Sequence, residues 1–183
     1  MSIAFLNDNF LPLEQAKISP LDRGFLFGDG IYEVVPSYAG KLLGFNAHLD
    51  RMKDGLKGIN IQLNWSREKW KSVCDELCIQ NGNGNLGLYL QVSRGADNKR
   101  YHAFPENVEP TVFCFAFEIG ASPSADKSSA KTFSVSTEED LRWQRCHIKS
   151  TALLGNVLHF QHGYDNGDDE TILYNDKHEL TEA

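Results

Sequence analysis

Ser19-Pro20-Leu21-Asp22-Arg23-Gly24-Phe25-Leu26-Phe27-Gly28-Asp29-Gly30-Ile31-Tyr32-Glu33 is the stretch on which the reading of this 183-residue chain turns. Three glycines within seven residues permit close backbone approach or positive φ. Their spacing matches neither a dinucleotide-binding fingerprint nor a P-loop, and no lysine follows, which argues against nucleotide binding. The segment runs straight into Ile31 to Tyr38, whose β-branched and aromatic content predicts a strand. Ala39-Gly40 and the apolar Lys41 to Phe45 then predict a hairpin.

Toward the N-terminus, Ile3 to Leu6 and Phe10 to Leu13 flank Asn7-Asp8-Asn9, a strand–turn–strand pattern. Toward the C-terminus, Asn46 is placed to cap a helix in which His48, Leu49, Met52 and Leu56 share one face. Ser66 caps a second helix, with Trp70, Val73, Cys74, Leu77 and Cys78 at helical spacing, and Asn81-Gly82-Asn83-Gly84 stops it. Leu86 to Ser93 and Thr111 to Ile119 read as strands. Gly120 to Lys131 is small and polar and reads as a linker. Beyond it come a strand over Thr132 to Ser136, a helix over Thr151 to Gln161, and a strand over Thr171 to Tyr174 with Asn175-Asp176 as its turn. The expected organisation is an N-terminal α+β domain over 1–119, a linker over 120–131, and the start of a second domain over 132–183. About fifty residues is near the lower limit for independent folding. That second domain is therefore expected to be truncated and the chain a fragment.

Hydrophobic residues make up 41% and charged residues 23%, the balance of a soluble globular protein. A net charge of −7 argues against nucleic acid as the main partner, because phosphate binding needs a basic face. An acidic protein that handles anions must gather its positive charge locally, so single arginines carry weight. Met1 to Asn9 has no basic residue and no long apolar run, unlike a secretory signal. No segment approaches the ~18 uninterrupted apolar residues of a membrane span. The four cysteines, Cys74, Cys78, Cys114 and Cys146, form no CxxC pair. They are expected to be buried free thiols in a reducing cytoplasm, with no metal site.

Three segments hold residue types that suit chemistry. In Arg142-Trp143-Gln144-Arg145-Cys146-His147-Ile148-Lys149-Ser150, Lys149 lies between Ile148 and the helix expected from Thr151, which would hold its amine at a strand end. A lysine that forms a Schiff base must present a neutral amine, and desolvation or a neighbouring cation favours that form. One lysine after an isoleucine proves nothing, and read alone Lys149 is a solvated surface lysine. In His48-Leu49-Asp50-Arg51, His48 and Arg51 fall on adjacent turns of one helix. An arginine there can grip a phosphate through two parallel hydrogen bonds, or make a surface ion pair. Arg94-Gly95-Ala96-Asp97-Asn98-Lys99-Arg100-Tyr101-His102-Ala103-Phe104-Pro105 places three cations and a histidine in a loop after a strand. That is either a local carboxylate or phosphate site or a solvated loop.

Together with the glycine-rich stretch, these segments resemble the class IV (fold type IV) pyridoxal-phosphate enzymes. The likeness is strongest to the D-amino-acid aminotransferase branch, through Asp22-Arg23-Gly24, Gly28-Asp29-Gly30-Ile31-Tyr32-Glu33, Arg142-Trp143, Arg145-Cys146 and Ile148-Lys149-Ser150. It implies a two-domain α+β / α/β fold that binds pyridoxal 5'-phosphate. It further implies that Lys149 forms the Schiff base and shuttles the proton, that Arg51 grips the cofactor phosphate, and that Glu182 pairs with the pyridine nitrogen. Tyr32, Arg100 and His102 match the family's trap for the carboxylate of a D-amino acid. In the family the loop carrying Arg100 and His102 reaches in from a neighbouring subunit, which implies a homodimer using amino acids and 2-oxo acids. His147 stands where relatives often carry an acidic residue, and the family continues well past the glutamate. Alternatives on the same scaffold are a branched-chain aminotransferase or an aminodeoxychorismate lyase. A different reading is a non-catalytic dimerising or regulatory fragment.

Overall fold

The computed structural model describes residues 2–182. They form two compact units, one from the N-terminus to Ser122 with His147–Thr151, the other from Pro123–Cys146 with the residues from Ala152 onward. Lys149 therefore belongs to the first unit, on a short excursion of the chain. Among the described residues no helix is long and apolar enough to cross a membrane.

The first unit is a six-stranded antiparallel sheet with two helices packed on it. Its strands are β1 (Ile3–Leu6), β2 (Asn9–Pro12), β3 (Gly30–Tyr38), β4 (Lys41–Leu42), β5 (Asn85–Ser93) and β6 (Thr111–Glu118), in the order β2-β1-β6-β5-β3-β4. Asn7 and Asp8, both at positive φ, make the tight β1–β2 turn, a conformation short polar side chains tolerate. The sheet's inner face carries Ile31, Glu33, Val35, Leu88, Leu90, Val92, Val112 and Cys114, all buried. It packs with helix α2 (Phe45–Gly58) through Leu49, Met52 and Leu56, and with helix α3 (Arg67–Gln80) through Trp70, Val73, Cys74 and Leu77. Burying each large aliphatic side chain here is worth about 1.5–3 kcal/mol. Side-chain alternation sends Tyr32, Tyr89, Gln91, Phe113 and Phe115 to the other face, where they are only partly covered.

Most elements stand close to where the sequence places them, and the exceptions have physical causes. Asn46 does not cap α2: Gly44 occupies the cap position at φ +63° and Phe45 opens the helix. Ser66 does cap α3, its hydroxyl accepting from the Lys69 N–H. The helix α1 (Arg23–Phe27) is an addition to the expected elements. Its signals were present, since the Asp22 carboxylate caps it by accepting from the Gly24 N–H and Gly28 ends it in the left-handed region. Cys74, Cys78 and Cys114 are buried free thiols, but Cys146 is exposed, contrary to expectation.

The second unit is a three-stranded sheet, β7 (Val135–Glu139), β8 (Glu170–Tyr174) and β9 (Leu180–Glu182), with helix α4 (Leu154–Asp165) crossing between β7 and β8. β7 and β8 are parallel. The strand expected at 132–136 begins three residues later because its register is set by β8, with Val135 opposite Glu170. The helix expected from Thr151 starts at Leu154, because the Thr151 N–H is committed to the carbonyl of Gly30. Leu154, Val157, Leu158 and Phe160 of α4 are exposed, while His159 and Gly163 are buried.

Gly95, just after β5, decides how the following loop leaves the sheet. It sits at φ +99°, and a Cβ there would collide with the Glu109 carbonyl oxygen. Gly95→Ala should therefore cost about 3 kcal/mol or more from strain and collision. A denaturant midpoint unchanged from the parent would contradict that.

Candidate active site

Lys149 is pinned to the open edge of β3. The Tyr32 N–H donates to the Lys149 carbonyl at 3.0 Å, the Thr151 N–H donates to the Gly30 carbonyl at 3.0 Å, and Ile31 bridges Ser150 in antiparallel fashion. Alternation then fixes the side chains. Ile148 goes into the core against Gly58 of α2, Ser150 is buried, and Lys149 is left on the side of Tyr32. Its Nζ donates to the Tyr32 hydroxyl at 3.0 Å and lies 4.3 Å from that ring's centroid, a cation–π distance. Tyr32 in turn stacks on Tyr89 with centroids 5.6 Å apart, and the Tyr89 hydroxyl donates to Gln91 Oε1 at 2.7 Å. Burial pushes the Tyr89 phenol up to about 12, so it stays a neutral donor.

On the reverse side of β3, Glu33 is fully buried. Its Oε1 accepts from Arg51 Nε at 2.5 Å, and its Oε2 accepts from Arg51 Nη2 at 2.7 Å and meets His48 Nδ1 at 2.8 Å. Both partners come from α2, one turn apart, so the helix presents them together. Burial alone would raise the Glu33 carboxyl, but the hydrogen bonds from Arg51 and His48 outweigh it and leave it lowered. Arg51 is raised, chiefly by Glu33 with a small contribution from Tyr32. Its side chain is 52% exposed, and Nη1 takes no part in the grip on Glu33. A guanidinium held rigid along one edge and open along the other is a ready anion site.

Arg100 and His102 stand elsewhere in the first unit. Both flank Phe27, the Arg100 guanidinium 5.2 Å and the His102 ring 5.4 Å from its centroid. The remaining arginine of that loop is not a ligand-facing cation. Arg94 is buried, donates twice to Asp29 at 2.8 and 2.9 Å, and also reaches the carbonyls of Ile59 and Asn60.

Glu182 lies in the second unit, where its Oε2 accepts from Arg142 Nη1 at 2.8 Å. Arg142 is almost wholly buried and also donates to Asp140, whose carboxyl it holds well below the usual range. Glu182 itself is half exposed.

Residues 30–183 match the family model described as amino-transferase class IV. The chain belongs to the class IV aminotransferase family. It is 36% identical over 171 residues to a D-alanine aminotransferase of Listeria innocua, covering 92% of this chain and 58% of that protein. It is 39% identical over 159 residues to a D-alanine aminotransferase of Staphylococcus haemolyticus, covering 86% and 55%. Among solved structures, the branched-chain aminotransferase of Thermoproteus uzoniensis with norvaline superposes with a TM-score of 0.82 at 16% identity, covering 99% of this chain and 62% of that one. A hypothetical aminotransferase from Mycobacterium tuberculosis, in its PLP-bound form, superposes with a TM-score of 0.76 at 16% identity, covering 96% and 62%. These two show the fold, fold type IV with mixed α and β. The chain spans a little over half the length of the curated relatives it matches.

The side chains of this member of the class IV family suit pyridoxal phosphate one by one. An amine on a tyrosine hydroxyl suits an aldehyde, a half-open guanidinium suits a phosphate, and an arginine-anchored carboxylate suits a protonated ring nitrogen. Sequence reasoning missed Glu33 as a participant. The signal was its place between Ile31 and Val35 on an inward-facing register, where a charge must find partners. Because folding lowers the Glu33 carboxyl, its contribution to stability is present above its ordinary value of 4.5 and fades as pH falls through the lower folded value. Glu33→Gln should cost about 1–3 kcal/mol at neutral pH and flatten the acid limb below pH ~4.5. Urea titrations of both proteins at stepwise lower pH measure both effects.

Proposed function

We propose that the protein to which this chain belongs transfers amino groups from D-amino acids of the D-alanine and D-glutamate type to 2-oxo acids, using pyridoxal 5'-phosphate, as a homodimer. The observation that carries this reading is the Lys149 amine resting on the Tyr32 hydroxyl at 3.0 Å, fixed from behind by a strand-like pairing. Family membership and the D-alanine aminotransferase names of relatives at 34–39% identity support it.

When bound, pyridoxal phosphate supplies an aldehyde that condenses with amines and a ring that withdraws electrons from the bond being broken. Lys149 is the residue that would carry it. The Lys149 Nζ takes the proton from the substrate's Cα and returns one in the second half of the reaction. The Tyr32 hydroxyl, bonded to Nζ, keeps the amine aimed while it changes protonation. Arg51 would hold the phosphate through its open edge, and Glu33 keeps that guanidinium from swinging away. Glu182, steadied by Arg142, would keep the pyridine nitrogen protonated.

Tyr32, Arg100 and His102 receive the α-carboxylate. Fixing that carboxylate decides which face of Cα meets Lys149, and hence which enantiomer loses its proton. In one chain Arg100 and His102 stand on Phe27 rather than on Tyr32, which favours a second copy as the recipient of their loop.

The test uses the full-length protein loaded with pyridoxal phosphate. D-alanine should yield pyruvate, Lys149→Ala should lose at least about a thousandfold in kcat, and Arg100→Ala should raise KM for D-alanine about 10- to 100-fold. Borohydride should fix the cofactor on Lys149. Deamination of L-leucine without pyruvate from D-alanine, or a borohydride adduct on another lysine, would overturn the reading.

A further inference from the structure

The Asp22-Arg23-Gly24 motif and α1 take no part in the chemistry above, yet Arg23 is almost completely buried, with a side-chain exposure of 4%. A buried guanidinium has five N–H groups to satisfy and is costly unless they are used. Arg23 spends them in two directions. Nε donates to Asp29 Oδ2 at 2.8 Å. The two terminal nitrogens donate to consecutive carbonyls of the loop, Nη1 to Tyr101 at 2.6 Å and Nη2 to His102 at 3.3 Å. Its flat face lies 4.8 Å from the Phe27 centroid. The side chains of Arg100 and His102 pack on that same ring.

The loop from Ala96 to Pro110 contains no helix or paired strand of its own beyond the Asp22–Ala96 bridge. Its backbone is therefore held by what reaches it from outside. Arg23 reaches the two carbonyls beside Arg100 and within His102, while Arg94 stacks on Phe104 at 3.7 Å. Both arginines are tied to the same acceptor, Asp29. Burial would raise the Asp29 carboxyl, but Arg94 and Arg23 together outweigh it and leave it lowered and charged. Asp29 also joins the loop to the end of α2, through the Arg94 bonds to Ile59 and Asn60.

We infer that Arg23 is a positioning residue for substrate recognition: it clamps the Tyr101 and His102 carbonyls so that Arg100 and His102, seated on Phe27, are presented at fixed spacing to the carboxylate they bind. A carboxylate receptor built on a floppy loop would have to order that loop at each binding event, and the ordering cost subtracts directly from affinity. Arg23 removes that cost before substrate arrives. The inference rests on the reading of Arg100 and His102 as the carboxylate trap, but the clamp itself can be tested without it.

In the full-length, cofactor-loaded protein, Arg23→Gln should speed tryptic cleavage after Lys99 and Arg100, followed by mass spectrometry, by about tenfold, as expected for loss of two charge-assisted bonds. The same variant should raise KM for D-alanine about tenfold or more while kcat stays within about threefold, a split that a general loss of folded enzyme does not produce. Arg23→Lys, which keeps the charge but reaches only one carbonyl, should fall between the two, and it carries the test if Arg23→Gln does not fold. Phe27→Leu should reproduce the KM effect by removing the shared platform. Unchanged cleavage in a folded Arg23 variant overturns the clamp. Faster cleavage with unchanged KM overturns its role in recognition. If Arg100→Ala leaves KM unchanged as well, the fault lies with the carboxylate-trap reading; if Arg100→Ala raises KM, it lies with this inference alone.

Discussion

The first residues of β3 serve two partners at once, and the rest of the site follows from that. Along one edge Gly30 to Tyr38 pairs with β5 residue for residue, from Gly30 opposite Ser93 to Tyr38 opposite Asn85. Along the other edge β4 covers only Ser37 and Tyr38, which leaves the start of the strand free. The chain returns to that free edge much later and closes it with Lys149, Ser150 and Thr151. Backbone groups left unpaired at a sheet edge are costly when buried, so this closure is favoured on hydrogen-bonding grounds alone. Its by-product is a lysine whose backbone is fixed and whose amine has one tyrosine within reach.

The charges obey a matching logic. In an acidic protein, carboxylates are plentiful and cations scarce, and here the buried carboxylates organise the cations rather than cancel them. Glu33 uses one edge of Arg51 and leaves the other, and Asp29 holds Arg23 and Arg94 while both still reach neighbouring backbone carbonyls. Such buried pairs add little net stability against an apolar replacement, but losing one partner strands the other. Their value is directional. Each guanidinium is held by a carboxylate at its back and works with what remains. Arg142, holding Glu182 while anchored by Asp140, repeats the pattern with the roles of carrier and carried reversed.

How much of this was legible beforehand depended on whether a residue's role was local. The strands β1, β2, β3, β5 and β6 and the Ser66 cap rest on alternation, turn chemistry and capping, all of which act over a few residues. α1 was equally local but was obscured by its glycines, which point to close backbone approach or positive φ rather than to a helix bracketed by Asp22 and Gly28. α4 was harder, because its start depends on Thr151 being recruited by β3, a contact between positions 121 residues apart. Arg94 shows the same limit from the other side. In sequence it is one cation in a cationic loop, and only the fold shows that Asp29 has already claimed it. Glu33 lay between these cases: its inward register was readable, but its partners on α2 were not.

Alternation along β3 also explains why the two halves of the site do not interfere. Tyr32 and Glu33 are neighbours in sequence, yet the pleat sends the phenol to the partly covered face with Lys149 and the carboxylate to the buried face with Arg51 and His48. Amine and guanidinium are thus served by adjacent residues whose side chains never compete for one space. The arrangement is rigid in register, because a slip of one residue would exchange the faces and leave Glu33 exposed and Tyr32 in the core. Nine consecutive pairs to β5 make that slip expensive. The placement of Tyr32 and Glu33, and through them of Lys149 and Arg51, therefore rests on the long, ordinary pairing of β3 with β5.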